Sequence, residues 1–563
     1  MKKHLDLWRK LFSPADKKKF MAIVMLMAIA GIMEMAGVGL LAGVITLFLA
    51  PEGEFQDMIY QKFCSFFPGI SHGNFIVCAV IAVVLLMIFK NLFSLLIIAL
   101  QTRFLRRRQS TITCRLLNTY INADYRHYIM NSADQYNGAV ERLKRLFDNF
   151  FQPALQLLAD AIVIFGLMLI ALLMLPGTAI ITMATVLGAA WLINKAFQKL
   201  NKRLGDKQYH QDVKENKLRL NVLLGMEQIK ISGTGEYFSN RLRELNSDIC
   251  RRSGTLYILG QIPRLSLESV ALILLCVIFV ILIVSGRTPQ DILLVFTVIA
   301  ASMARMLPAL SRAHYNLTQL KQYGVLLEEL TGNLTSIPAE LNSANADAPD
   351  FDGDIVIENL NFAYTPELPV ISNLNCTFKY REITGIAGRS GIGKTTLLNL
   401  ITGLFNPASG KISANGNDIS GNALLWRKQI GFVPQNVFIF DGTLRENIAL
   451  GIPENEIDDQ KISSVLKCAQ LPEFADDPAM QLNSNSGLSG GQRQRIGIAR
   501  ALYRDPGVLI LDEATSALDG KTESGILELL DSLRGKKTVI VISHRKETLD
   551  ICDTLIDLQQ NAG

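Results

Sequence analysis

The sequence predicts two unlike halves, a polytopic α-helical membrane domain of six spans followed by an α/β domain, and three observations carry that expectation. Six apolar runs of spanning length fall within the first 330 of 563 residues. Lysines and arginines concentrate in alternate connections between them, as the positive-inside rule requires. Beyond residue 353 the apolar runs shorten to strand length, alternate with helical patterns, and enclose one glycine-rich segment between a strand and a helix. The predicted boundaries are therefore a transmembrane domain over 1–330, a linker over 331–352 and the α/β domain over 353–563. Composition agrees: 49% of residues are hydrophobic and 19% charged, too apolar for a purely soluble enzyme or a disordered chain. A net charge of +5 is accounted for by basic flanks of membrane spans, so nucleic acid is not an expected partner.

Taken in order, residues 5–12 alternate Leu, Trp and Phe with basic residues like a short helix lying on a membrane surface. Spans are expected at 20–49, 75–100, 150–175, 178–197, 267–284 and 291–307. The first is longer than a signal-peptide core and lacks a clear cleavage site, so it reads as a span. Lys17, Lys18 and Lys19 precede it, Arg103, Arg106, Arg107 and Arg108 follow the second span, and Lys199, Lys202, Arg203 and Lys207 follow the fourth. The opposite connections are an acidic segment at 52–57, the Pro176-Gly177 turn and Ser285-Gly286-Arg287. Both termini and the α/β domain are thus expected in the cytoplasm, with the chain in the plasma (inner) membrane.

The two long cytoplasmic connections carry helical spacing, which predicts helices continuing out of the bilayer and docking bends near 122–131 and 225–235. Ionisable residues within or bordering the spans are Glu34, Lys90, Asp160, Arg264, Glu268, Arg305 and Arg312. Each is costly in hydrocarbon unless paired or facing water. Arg264, Arg305 and Arg312 are the candidate substrate residues, a basic cavity for an anionic group. The competing reading is structural pairing, for which Arg264 and Glu268, four apart on a helix, are spaced. Eight cysteines lie without CxxC pairs or regular spacing, so neither a zinc site nor a disulfide framework is indicated.

In the second half, a short apolar strand runs into Gly388-Arg389-Ser390-Gly391-Ile392-Gly393-Lys394-Thr395-Thr396 and then an apolar helix. This is the pattern of a phosphate-binding loop. Glycines let the backbone N–H groups wrap a phosphate chain, Lys394 reaches the outer phosphates, and the Thr395 hydroxyl can ligate Mg2+. Val508-Leu509-Ile510-Leu511-Asp512-Glu513 is a buried-strand run ending in two carboxylates. Asp512 suits the Mg2+ shell, and Glu513 is placed to orient or deprotonate the attacking water.

With Leu488-Ser489-Gly490-Gly491-Gln492 added, the sequence resembles the ATP-binding cassette (ABC) family over nearly its whole length. The resemblance implies a P-loop NTPase fold with a helical subdomain, ATP and Mg2+ as cofactors, and a homodimer in which this signature binds the γ-phosphate held by the partner's loop. It further implies that Tyr364 stacks on adenine, that Gln435 touches Mg2+ and water, that Ser516-Ala517-Leu518-Asp519 forms the inter-subunit loop, and that His544 senses the γ-phosphate. Two departures stand out: the segment between the helical subdomain and the signature is short, and Ile392 replaces the smaller residue commoner there.

Six spans fused to one cassette resemble an exporter half-transporter, with ATP binding closing the cassette pair and hydrolysis reopening it. Pro263, Arg264 and Glu268 with Arg305, Pro308 and Arg312 are similar to the bacterial lipid-linked oligosaccharide flippases. The expected cargo is an amphipathic lipid, a polyprenyl-pyrophosphate type headgroup suiting the arginines. Multidrug or peptide export is the alternative within the class, and a nucleotide-gated channel or regulator the alternative outside it.

Overall fold

The computed structural model describes residues 12–49, 72–130, 133–174, 214–286, 289–336, 351–365, 367–389, 391–483, 487–515 and 518–559, with isolated helical positions between 184 and 196. The expected surface helix over 5–11, most of the fourth span, most of the 331–352 linker, Ser390, Ser516 and Ala517 lie outside the described residues. Two compact units result: Met1–Ile121 with Ala133–Ile337, and Asn122–Ser132 with Pro338–Gly563. The short stretch Asn122–Ser132 thus belongs with the second unit, a placement that sequence boundaries of 1–330 and 353–563 do not contain.

Up to residue 336 the helices are α1 (Pro14–Leu49), α2 (His72–Ile121), α3 (Tyr125–Met130), α4 (Ala133–Leu146), α5 (Gln152–Met174), α6 (Met226–Ser232), α7 (Gly235–Val284) and α8 (Pro289–Ser336). Helices α2 and α7 have 50 residues and α8 has 48. At 1.5 Å per residue these are about 75 Å long, more than twice a bilayer core, so the helices do continue beyond the spans. The short helices α3 and α6 stand at the two expected bends.

Among the described residues, four segments are long and apolar enough to cross a membrane: Pro14–Gly37, Val77–Ile121, Gln135–Leu169 and Gly235–Val284. These coincide with four of the six expected spans, and the 291–307 run lies on α8. The third begins further upstream than 150, because α4, a π-helical turn at Phe147–Phe151 and α5 are continuous. Large side chains such as Leu85, Phe89 and Leu95 point outward, 60–63% exposed, as lipid-facing residues do. Inward, Phe147, Phe151, Leu116, Leu143 and Leu146 make a fully buried apolar core. Close approach of helices is set by small residues: a Cβ at Gly31 would lie 2.7 Å from Ile162 Cγ2, and one at Gly166 2.0 Å from Met35 Sδ.

The second unit holds two sheets. Strands β1 (Ile355–Ala363), β2 (Pro369–Phe378), β4 (Ser409–Ala414) and β5 (Asn417–Asp418) form an antiparallel sheet in the order β2-β1-β4-β5. Strands β3 (Ile383–Ala387), β6 (Ile430–Val433), β9 (Val508–Asp512), β10 (Thr538–Ile542) and β11 (Thr554–Asp557) form a parallel sheet in the order β11-β3-β10-β9-β6. Every residue of β9 and β10 is buried, which is why both read as continuous apolar runs. Helix α9 (Lys394–Ile401) follows β3. Helices α10 (Ala423–Lys428), α11 (Leu444–Ile448), α12 (Asp459–Cys468) and α13 (Gly490–Tyr503) come next, the last three sharing a core that includes Leu444, Ile462, Leu466 and Ile496. Helices α14 (Gly520–Leu533) and α15 (Lys546–Asp550) complete the unit.

Of the shortened segment before the signature, residues 484–486 lie outside the described residues. Its Gln481–Leu482 strand, β8, pairs antiparallel with β7 (Gly442–Thr443), and the Leu444 N–H donates to the Met480 carbonyl at 2.8 Å.

Candidate nucleotide site

The phosphate-binding loop leaves β3, an interior strand of the parallel sheet between β11 and β10, and enters α9. Gly391 at φ +83° and Gly393 at φ +106° occupy backbone conformations that side-chain-bearing residues rarely adopt, and a Cβ at Gly393 would press on Val370 at 3.0 Å. Gly393 caps α9, so the helix N-terminus and its free N–H groups face the loop. Lys394 is buried and folds back over the loop, its Nζ donating to the carbonyls of Gly388 at 2.7 Å and Arg389 at 3.2 Å. An ammonium held by two neutral carbonyls has no compensating anion from them, and a phosphate is the partner this geometry accommodates.

Strand β9 delivers Asp512 and Glu513 beside it. Glu513 leaves the strand at φ +50°, a strained turn for a non-glycine residue, fixed by its N–H donating to the Ile542 carbonyl at 2.9 Å. Its carboxylate then accepts from Gln435 Nε2 at 2.8 Å and lies 3.3 Å from His544 Nε2. The same His544 nitrogen is 3.1 Å from Lys394 Nζ. Nε2 therefore stands between a cation and an anion: it accepts from Lys394 in one tautomer and donates to Glu513 in the other. Four sequence candidates, Lys394, Gln435, Glu513 and His544, meet at one point at the C-terminal edge of the sheet, where open parallel sheets bind their ligands.

Asp512 is buried, and burial first, then the neighbouring Glu513 charge, pushes its carboxyl above the usual range; a hydrogen bond from Thr395 and the charge of Lys394 oppose this. The described residues hold no group of three or more His, Cys, Asp or Glu side chains arranged so that they could hold a metal ion by themselves. One carboxylate with one hydroxyl is nevertheless the protein share that Mg2+ takes when phosphates and water supply the remaining oxygens. Thr395 and Asp512 fit that ion.

Tyr364 follows β1, its hydroxyl 3.0 Å from Thr396 Oγ1 and its ring 5.7 Å from that of Phe405. The signature opens α13: Ser489 accepts from the Gln492 N–H at 3.1 Å while the Gln492 side chain accepts from the Ser489 N–H at 2.9 Å. This reciprocal cap leaves the N–H groups of Gly490 and Gly491 at the positive end of the helix. Leu488 is buried beneath it. Asp519 precedes α14, its acidity strengthened chiefly by hydrogen bonds from Thr522.

Sequence reasoning missed several supports. Gln494, buried on α13, donates to the Glu513 carbonyl at 3.4 Å. Asn447, 1% exposed, bonds both the N–H and the carbonyl of Phe440, and Arg500 bonds the carbonyls of Asn447 and Phe438. Together they hold the segment after Gln435, where Phe438 and Phe440 present an exposed edge-to-face pair 4.9 Å apart. A polar residue inside an amphipathic helix was the one available signal, and it is a weak one.

Residues 371–516 match the family model for the ABC transporter. This segment is an ABC transporter domain. Over 345 residues the chain is 33% identical to the ATP-dependent lipid A-core flippase of Cupriavidus pinatubonensis, covering 59% of this chain and 58% of that protein. Over 286 residues it is 33% identical to the exotoxin translocation ATP-binding protein PaxB of Pasteurella aerogenes, covering 50% and 39% respectively. The chain thus spans under three-fifths of the length of these curated relatives. A bacterial Atm1-family ABC exporter solved with ATP bound superimposes with a TM-score of 0.77 at 20% identity, covering 97% of this chain and 94% of that one. The chain shares the fold of that exporter, with helices long and apolar enough to cross a membrane in its first unit and the ABC transporter domain in its second.

In the membrane unit, the three candidate substrate arginines are not brought together. Arg264 pairs with Glu268 on its own helix at 3.0 Å. Arg312 makes a two-pronged contact to buried Asp160 at 3.0 and 2.7 Å. Arg305 lies 3.5 Å from Glu34, whose other oxygen takes Lys90 at 2.9 Å. The first two sets are neutral pairs. The third sets two cations from α2 and α8 against one carboxylate on α1, so that positive charge is left over there.

Proposed function

We propose that the protein is an ATP-hydrolysing exporter half-transporter that works as a homodimer and moves an amphipathic, anionic substrate outward across the bacterial inner membrane. The convergence of Lys394, Gln435, Glu513 and His544 on one point carries this reading. ATP binds with its phosphates on the loop and the N-terminus of α9, and with adenine on Tyr364. Mg2+, held by Thr395 and Asp512, would neutralise phosphate charge there. Glu513 takes the proton of the attacking water, Gln435 fixes the Glu513 carboxylate, and His544 links it to Lys394. The capped signature helix presents its N–H groups to the γ-phosphate of the partner subunit, and Asp519 lies in the loop between subunits.

For the cargo, the surplus cation at Glu34, Lys90 and Arg305 supports a phosphate or pyrophosphate headgroup on a lipid, a lipid-linked oligosaccharide among them. Names of relatives include both lipid flippases and toxin exporters, so peptide export is the reading to set against it. Proteoliposomes of the full chain separate them: ATP-driven movement of a lipid-linked glycan, a phospholipid, a peptide and a dye is followed with Lys394→Ala as the inactive control. Movement of the peptide alone overturns the lipid reading, and movement that survives Lys394→Ala overturns the transporter reading.

A further inference from the structure

We propose that Arg126 and Tyr125, on the six-residue helix α3, position Tyr364 for the adenine ring and so set the affinity of the site for ATP. The proposal rests on the ATP reading given above. Helix α3 lies more than two hundred residues before the cassette in sequence, yet Asn122–Ser132 clusters with it. Arg126 Nη2 donates to the carbonyl of Ala363 at 3.3 Å and to that of Tyr364 itself.

Those carbonyls sit where β1 runs out. Ala363 is the last residue of the strand and faces Pro369 of β2, which has no N–H to offer the ladder. A guanidinium, with several donors in one rigid plane, reaches two consecutive carbonyls that a strand neighbour cannot serve. Arg126 is itself fixed, its N–H donating to Asp124 Oδ1 at 2.9 Å.

Tyr125 acts on the ring. It packs 5.9 Å from Phe405, and Phe405 stands perpendicular to Tyr364 at 5.7 Å and stacks on Phe362 at 5.1 Å. Tyr364 is therefore held at its backbone by Arg126, along its ring by Phe405 backed by Tyr125, and at its hydroxyl by Thr396. Stacking on a base depends on ring placement, and freeing the backbone of Tyr364 costs part of it. Arg126 and Tyr125 are positioning residues that act through Tyr364.

The test uses the full chain in detergent micelles and measures ATP hydrolysis against ATP concentration for wild type, Arg126→Ala, Arg126→Lys, Tyr125→Ala and Lys394→Ala. Inorganic triphosphate, which has no base to stack, serves as a competitor. Loss of a charge-assisted hydrogen bond is expected to raise the KM for ATP by roughly threefold to tenfold in Arg126→Ala. The kcat should stay within about twofold and the inhibition constant of triphosphate should not move, with partial rescue by lysine. Three results overturn the proposal: an unchanged KM, an equal weakening of triphosphate, or a fall in kcat at constant KM. Hydrolysis persisting in Lys394→Ala instead overturns the underlying ATP reading, so the two failures are distinguishable.

Discussion

Replacing Glu513 by glutamine tests the proposed chemistry most directly. The residue is fixed by its own N–H to the Ile542 carbonyl at 2.9 Å, and its side chain by Gln435 at 2.8 Å. Glutamine retains an oxygen to accept from Gln435 but cannot accept a proton at neutral pH. A general base contributes about 10²- to 10⁴-fold, so the loss in turnover corresponds to about 2.7–5.5 kcal/mol at about 1.36 kcal/mol per factor of ten. Stability should change little, because the contact given up is with His544, whose side chain is 51% exposed. The substitution also removes a negative charge that pushes the Asp512 carboxyl upward, which favours the folded protein. The assay is phosphate release together with retention of labelled ATP and the Tm of the nucleotide-free protein. The expected outcome is hydrolysis reduced at least a hundredfold with ATP retained and the Tm equal to or above wild type. Hydrolysis within about threefold of wild type would refute Glu513 as the base.

The raised Asp512 carboxyl gives a pH prediction with a definite sign. A carboxyl whose folded pKa exceeds the unfolded value of about 3.9 contributes stability that is fully present below that value and is lost as pH rises through the folded value. Asp512→Asn removes the buried charge, so the Tm of the protein free of nucleotide and metal should exceed wild type at neutral pH, with the difference vanishing near about pH 4, while Mg2+-dependent hydrolysis is abolished; an unchanged Tm at neutral pH counts against the argument. In the membrane unit, Arg312→Ala leaves Asp160, 5% exposed at its side chain, without its cation and should destabilise by about 3–5 kcal/mol. Adding Asp160→Asn should recover most of that loss in thermal unfolding in detergent, and additive effects of the two changes would show that the pair is not coupled.

Much of the proposed nucleotide site was legible because its residues announce themselves locally. The phosphate-binding loop needs glycines at positive φ, and the strand before Asp512 must be apolar because both its faces are covered. Each constraint acts within a few residues of sequence. The membrane arginines behaved otherwise. Arg264 and Glu268 lie four apart on one helix, so their pairing could be anticipated. The partners of Arg305 and Arg312, Glu34 and Asp160, are separated from them by much of the membrane unit, and only helix assembly chose them. Arg126 is the extreme case: nothing in Tyr125-Arg126-His127 signals that it serves the end of β1, 237 residues away.

The sequence by itself determined the division into an apolar helical half and an α/β half, the long helices, and the candidate residues for the proposed phosphate site. These follow from hydropathy, helical periodicity and backbone conformations that only glycine adopts freely, all properties of short windows of chain. Tertiary structure decided which charges cancel and which remain. It left two cations on Glu34, joined Lys394 to Glu513 through one histidine nitrogen, and drew a six-residue helix from the first half into the cassette's own unit. Electrostatic and hydrogen-bond partners are fixed by proximity in space, and a one-dimensional pattern carries no record of proximity beyond a turn or two of helix.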